Sequence, residues 1–170
     1  MKMLKVMALL SLLMLVVSCG GSKGATGAAK KYIIATDATY APFEFQENGK
    51  YIGIDVDLIT EIAKVEGFEF ELKPMDFGGI IPALQSGPID GAIAGARITD
   101  ERKKSVDFSD PYYETGIVAV VNSENTTIKA GKDLEGKKLA VKNGTAGASY
   151  VEENLKGKSE AVTFKDTVSM

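Results

Sequence analysis

Asp55-Val56-Asp57-Leu58-Ile59-Thr60-Glu61-Ile62-Ala63-Lys64-Val65-Glu66-Gly67-Phe68-Glu69-Phe70-Glu71-Leu72 changes its period part-way along. Up to Val65 the apolar residues Val56, Ile59, Ile62 and Ala63 recur at the three-and-four spacing of one buried helix face. Beyond Gly67 the pattern becomes strict alternation, which places Phe68, Phe70 and Leu72 on one side of a strand. Asp55 is suited to cap the helix, and Gly67 to end it in the left-handed conformation. Upstream stands a short apolar run, Tyr32-Ile33-Ile34-Ala35-Thr36, that reads as a strand. Strand, helix and strand in succession predict a crossover unit, and hence α/β architecture with a mainly parallel sheet.

The same reading extends in both directions. Residues 43–54 predict a hairpin turning at Asn48-Gly49-Lys50. Asp76 opens a short helix through Ser86, with Pro82 tolerable near its first turn. Residues 89–94 form an apolar strand, Thr99 caps the next helix, and 106–108 make another short strand. The unbroken apolar run 116–121 suits a strand buried on both faces. After Asn122 the pattern restarts: strand 138–142, tight loop 144–147, helix 148–155, strand 161–164, and a helix from Thr167. Sheets of this kind bind ligands at strand C-terminal ends and helix N-termini.

Composition removes several classes of function. The chain of 170 residues is 45% hydrophobic, which is enough for a core, and carries a net charge of −3. No basic block exceeds Arg102-Lys103-Lys104, so nucleic acid is not an expected partner. There is no His, hence neither the commonest general base nor the commonest zinc ligand. The single Cys, Cys19, excludes a disulfide framework and a thiolate metal cluster. It ends a leader of familiar form: Lys2 and Lys5, then an apolar run over residues 6–17 that is too short for the ~30 Å hydrocarbon core. Val16-Val17-Ser18-Cys19 resembles the bacterial lipobox, in which the Cys is lipidated and becomes the mature N-terminus. A plain secretory signal with an incidental Cys is the alternative. The Gly/Ala/Ser/Lys stretch that follows has the composition of a flexible tether.

Thr99-Asp100-Glu101-Arg102-Lys103-Lys104 breaks a local rule by placing three cations near a helix start, where the macrodipole disfavours them. Either this is a solvated charged face, or Arg102 faces a carboxylate, which guanidinium binds bidentately. Four stretches in order bear on the choice: Asp37-Ala38-Thr39-Tyr40-Ala41-Pro42-Phe43-Glu44-Phe45; Gly53-Ile54-Asp55-Val56-Asp57-Leu58; Gly95-Ala96-Arg97-Ile98-Thr99-Asp100-Glu101-Arg102; and Val106-Asp107-Phe108-Ser109-Asp110-Pro111-Tyr112-Tyr113. Together they resemble the polar amino-acid-binding proteins of ABC transporters, solute-binding family three. Lys73-Pro74-Met75-Asp76-Phe77 looks most like the glutamine-binding members. The resemblance covers residues 32–170.

It implies a periplasmic-binding-protein-like fold of type II: two α/β lobes joined by a hinge and closing on a ligand. The expected division is signal 1–18, tether 19–31, first lobe 32–113, hinge and first strand of the second lobe 114–121, and a partial second lobe 122–170. Residues past Met170 that would finish that lobe and return to the first are expected by the resemblance, so the second lobe reads as incomplete. The implied partners are a polar amino acid, an ABC permease and the membrane, reached through a lipid on Cys19. The protein is expected to be a monomer without cofactor or metal, facing the periplasm or cell exterior.

The site residues follow from the same resemblance. Arg102 matches the clamp on the ligand α-carboxylate, aided by Thr145 and the Ala146 N–H. The Ala94 and Gly95 carbonyls match the site for the α-ammonium. Asp37 matches the acid facing the ligand side chain, Tyr40 and Phe77 its aromatic walls, and Lys142 a lysine reaching its distal group. Plainer readings stand beside these: Tyr40 and Phe77 as core aromatics, Asp37 as a turn former, Lys142 as a surface residue. Asp55 and Asp57 read as helix-start residues, and Glu44 as a rim contact or a strand-pairing residue. Arg97 departs from the family pattern, which has a small hydroxyl or an acid there. Either its cation turns outward, or the ligand is unusual. Asp37 with Lys142 favours an amide, so glutamine is the first expectation and arginine the second. The rival functions are a cyclohexadienyl dehydratase-like enzyme, or the ligand-binding module of a lytic transglycosylase or sensor.

Overall fold

The computed structural model describes residues 30–170. The expected leader, Cys19 and nearly all of the tether lie outside the described residues; Lys31, the tether's last expected residue, already belongs to a strand. Strand β1 (Lys31–Thr36) is central in a parallel sheet with β5 (Glu69–Pro74) on one side and β6 (Gly91–Ala92) on the other. A second, antiparallel sheet consists of β2 (Thr39–Tyr40), β3 (Glu44–Glu47) and β4 (Lys50–Ile52). Its hairpin turns at Asn48 and Gly49, both with positive φ, as a two-residue turn of this hand requires.

Helix α1 (Ile54–Glu66) crosses from β4 to β5 and buries Ile59 and Ala63. Ile62, expected on that face, is largely exposed. The expected capping role of Asp55 is also corrected. The N-cap is Gly53, at φ 124°, and Asp55 lies in the first turn. The Ile54 and Asp55 N–H groups, which have no intrahelical partner, donate instead to the Pro42 and Phe43 carbonyls. Gly67 ends the helix in the left-handed conformation, as expected.

A 3₁₀ turn (Phe77–Gly79) leads into α2 (Ile80–Ser86), with Pro82 in its first turn. Ala35, Ile80, Ala83, Ile89 and Ala94 form the core here, between β1, α2 and the segment around β6. Burying a side chain such as Ile80 contributes ~1.5–3 kcal/mol. The one-turn α3 (Asp100–Lys103) is capped by the Thr99 hydroxyl, as expected. After a 3₁₀ turn (Gly131–Leu134), strand β7 (Lys138–Lys142), helix α4 (Ala146–Asn154) and strand β8 (Glu160–Phe164) make a second parallel unit. Its core is Leu134, Val141, Val151 and Leu155.

Five further sequence expectations differ from this. The strand expected over 89–94 is only Gly91–Ala92. Residues 106–108 are not a strand. The run 116–121 is neither a strand nor buried, with Val118 79% and Val120 91% exposed. A strand needs a neighbour for its N–H and C=O groups, and no segment among the described residues pairs with this run. Helix α4 starts at Ala146 rather than 148, because Thr145 caps it, and Thr167 opens a turn rather than a helix.

Candidate functional site

The C-terminal end of β1 delivers Asp37, and the C-terminal end of β7 delivers Lys142. Their side chains meet in a buried ion pair, 3% and 7% exposed respectively. The Thr39 hydroxyl supports both, donating to Asp37 at 2.9 Å and accepting from Lys142 at 3.1 Å. Lys142 is therefore not the surface residue of the plainer reading. It is desolvated, and its partner lies in the other parallel sheet unit.

Arg102 also spans the two units. Its guanidinium donates to the Arg97 carbonyl at 2.7 Å and to the Gly144 carbonyl at 2.8 Å. Burial holds it below the ordinary arginine pKa, and among the described residues no carboxylate forms an ion pair with it. A half-buried cation held by backbone dipoles alone is a ready partner for an anion. The helix carrying Arg102 is a single turn, so Arg102 and Lys103 lie in its last turn as much as its first. The expected conflict with the macrodipole does not arise. The Phe77 ring lies beneath both cations, 5.4 Å from the Arg102 guanidinium carbon and 5.8 Å from the Lys142 ammonium. This is cation–π range.

Where the two units touch, only glycine fits. A Cβ on Gly144, at φ 72°, would lie 2.6 Å from the Gly78 Cα. Helix α4 starts beside this contact. The Thr145 hydroxyl accepts from the Ala148 N–H at 3.2 Å and donates to the Lys142 carbonyl at 2.8 Å. The Ala146 N–H opens the helix, where no intrahelical acceptor exists.

On the opposite side Gly95 takes φ 52° and packs on Tyr40, whose Cε1 would be 3.0 Å from an added Cβ. Tyr40 is 39% exposed and stacks on Phe43, centroids 5.3 Å apart, so it is a surface ring with a core ring behind it. Ala94 is buried. The Arg97 guanidinium donates to the Thr115 carbonyl at 2.8 Å, and its charge is close enough to lower the Arg102 pKa.

Asp55, read from sequence as a helix-start residue, and Glu44, read as a rim contact or a strand-pairing residue, are both buried here. Asp55, wholly buried, accepts from the Gly95 N–H at 2.7 Å and from the Tyr112 hydroxyl at 2.9 Å. Burial and the Asp55 charge push the Tyr112 phenol up. Glu44 is 1% exposed, and neither of its oxygens has a hydrogen-bond partner. Burial first, then the neighbouring Asp55, raises its carboxyl to about 9. It is not a rim contact: it pairs with Tyr40 in the β2–β3 ladder, the strand-pairing reading, with its side chain turned inward. The only sequence signal was an acid flanked by two aromatics.

Asp37, Lys142, Arg102 and Phe77 thus gather where the two parallel units meet, beside the start of α4 at Thr145 and Ala146, while Tyr40 and Gly95 pack on each other and Ala94 lies in the core of the first unit. Depressions between Ile98 and Pro111 and between Gly136 and Glu160 hold none of these residues. Among the described residues no group of His, Cys, Asp and Glu is placed to hold a metal ion.

Comparison with known proteins bears on the family and the fold. Residues 32–166 match the family model for bacterial extracellular solute-binding proteins, family 3. The chain is 41% identical over 149 residues to the arginine-binding extracellular protein ArtP of Bacillus subtilis (strain 168), covering 87% of this chain and 56% of that one. A solved structure of an ancestral arginine-binding protein bound to arginine superposes with a TM-score of 0.78 at 48% identity. One described as an ancestral arginine-binding protein bound to glutamine gives 0.76, also at 48% identity. Each covers 82% of this chain and 62% of the solved one. The chain therefore spans just over half to three-fifths of the length of these relatives, all of which are described as binding proteins. Crossover topology, mainly parallel sheets and matched family model converge: the fold is the α/β type II fold of periplasmic binding proteins, and the chain belongs to family 3 of the bacterial extracellular solute-binding proteins.

Proposed function

We propose that this chain is the ligand-capturing part of a binding protein that takes a polar amino acid, glutamine in preference to arginine, for an ABC importer. The observation that carries the preference is the buried Lys142–Asp37 ion pair. A guanidinium entering beside Asp37 would meet a cation already paired with it. An amide can accept from Lys142 and donate to Asp37 without leaving a charge unpaired. In this reading Arg102 takes the α-carboxylate, with the Thr145 hydroxyl and Ala146 N–H on its other side. The Ala94 and Gly95 carbonyls take the α-ammonium, and Tyr40 and Phe77 flank the side chain. Residues 114–121 serve as the connection between lobes. Cys19 carries the lipid that keeps the protein beside its permease.

The arginine reading has its own support in the names of the relatives. It requires Lys142 to leave Asp37. Titration calorimetry of the complete protein with glutamine, arginine, histidine and cystine decides between them. Glutamine is expected to bind at least tenfold tighter than arginine. Tighter binding of arginine would overturn the preference, and binding of leucine or alanine alone would overturn the polar site. Mass spectrometry of the mature N-terminus tests the anchor: an unmodified Cys19, or cleavage elsewhere, refutes it.

A further inference from the structure

Asp55 and Glu44 lie behind the proposed site, without a place in it. Asp55 has no capping duty in its own helix. Its two oxygens instead join three segments: the first turn of α1, the turn at Gly95 after β6, and Tyr112, which follows α3. The Gly95 turn carries the carbonyls proposed for the ammonium and backs the Tyr40 ring. Where Gly95 sits is thus set by a charge-assisted hydrogen bond to a carboxylate excluded from water, the strong kind.

Glu44 opens β3 directly after Phe43, whose carbonyl accepts from the Asp55 N–H at 2.9 Å, so this buried, unpartnered carboxyl stands at the same helix start. The charged and titratable groups around it are Asp55 on α1, Asp37 at the end of β1, Lys142 at the end of β7, and Tyr112, whose hydroxyl binds Asp55. Lys142, the one cation of the group, is held by Asp37 and Thr39. Two ionised carboxylates side by side, both buried, would face each other as acceptors with no hydrogen between them. That is the state of the Glu44 oxygens unless one is protonated. A proton on Glu44 leaves one negative charge on the pair and gives Asp55 a further donor.

We propose that Asp55 is a positioning residue for the ligand-binding turn at Gly95, and that Glu44 acts with it as a neutral acid whose proton keeps the Asp55 carboxylate bound to the Gly95 N–H and the Tyr112 hydroxyl. When Glu44 gives its proton to solvent, repulsion between the two carboxylates disturbs both bonds and the turn shifts. The link to ligand rests on the proposed amino-acid site; the link between Glu44 and Gly95 does not.

The test follows the Gly95 amide in ¹⁵N–¹H spectra of the intact protein without ligand, from pH 6 to 10. The amide is expected far downfield, as for a short bond to a carboxylate, and to titrate with a midpoint near 9. Glu44→Gln should abolish that titration while leaving the amide downfield. Asp55→Asn should move it upfield and, in calorimetry, weaken glutamine binding by tenfold or more. A Gly95 amide that does not titrate in the wild type, or that titrates unchanged in Glu44→Gln, overturns the proposal. Because these spectra need no ligand, failure to bind glutamine would count against the proposed function and leave this result standing. If Asp55→Asn does not fold, the Glu44→Gln comparison still decides.

Discussion

Replacing Lys142 with Met should invert the ligand preference. The substitution keeps the length of the aliphatic stem, so packing over Phe77 changes little, while the ammonium is lost. In the unliganded protein Asp37, 3% exposed at its side chain, is left with the Thr39 hydroxyl as partner. Removing one partner of a buried ion pair costs ~3–5 kcal/mol. The Asp37 cluster is closed by a residue from the other sheet unit, so part of that cost falls on holding the units together. Two effects on ligands follow. Glutamine loses a hydrogen bond from a charged donor, ~1.5 kcal/mol, or about tenfold in Kd. Arginine gains an unpaired, desolvated carboxylate within reach and no longer meets a cation, ~1.5–3 kcal/mol, or about 10–100-fold. The arginine-to-glutamine affinity ratio should therefore rise by roughly two to three orders of magnitude. Calorimetry with both ligands measures the ratio, and a guanidinium chloride melt with and without 1 mM-range arginine measures the linkage. A variant that melts lower but keeps the wild-type ratio would refute the reasoning, because Lys142 would then be structural only.

Arg102→Ala should weaken binding of any α-amino acid by ~2–5 kcal/mol, since a carboxylate entering the site loses its charged partner; calorimetry at the wild-type value would remove Arg102 from the site. Gly53→Ala should destabilise the fold by several kcal/mol, on the order of the largest single-site effects, because the new Cβ would lie 2.3 Å from the Phe43 carbonyl oxygen at a φ of 124°. A denaturant midpoint close to wild type would show that this backbone relaxes. Stability should also fall as pH rises from about 4.5 to about 9. Glu44 keeps in the native state a proton that the unfolded chain gives up near 4.5, so its contribution is complete below that value and gone above about 9. Glu44→Gln should flatten this slope between pH 6 and 9 in chemical denaturation, and an unchanged slope would place its cause elsewhere.

What could be read from the chain, and what could not, divides along a physical line. The helix Ile54–Glu66 and the strand after it were legible because periodicity is a local property: a face is buried or not according to spacing along one element. The hairpin at Asn48-Gly49 was legible because its turn has few sequence solutions. The run 116–121 was misread because its apolar residues state only that burial is favourable, not that a neighbouring strand is at hand. Residues 89–94 contracted to Gly91–Ala92 for the same reason: β1 offers this segment register at only two positions, Ile34 and Ala35.

The site divides similarly. Arg102 stood out locally as a cation near a helix start, but Asp37 and Lys142 could be picked out only through resemblance, since nothing in their local spacing says that residues 105 apart in sequence meet in one buried ion pair. Asp55 is the sharpest instance. An acid at the start of a helix reads as a cap, and no local signal distinguishes a side chain that caps from one that turns inward. The distinction is made by Gly95 and Tyr112, 40 and 57 residues further on. Asp55 could be spared capping because Gly53, free to adopt φ 124°, brings the first helical N–H groups to the Pro42 and Phe43 carbonyls. One glycine thus releases one carboxylate. The segment Gly53-Ile54-Asp55 therefore links local backbone freedom to the position of the Gly95 turn, and under the proposed function a stretch that looks like a plain helix start belongs with the site.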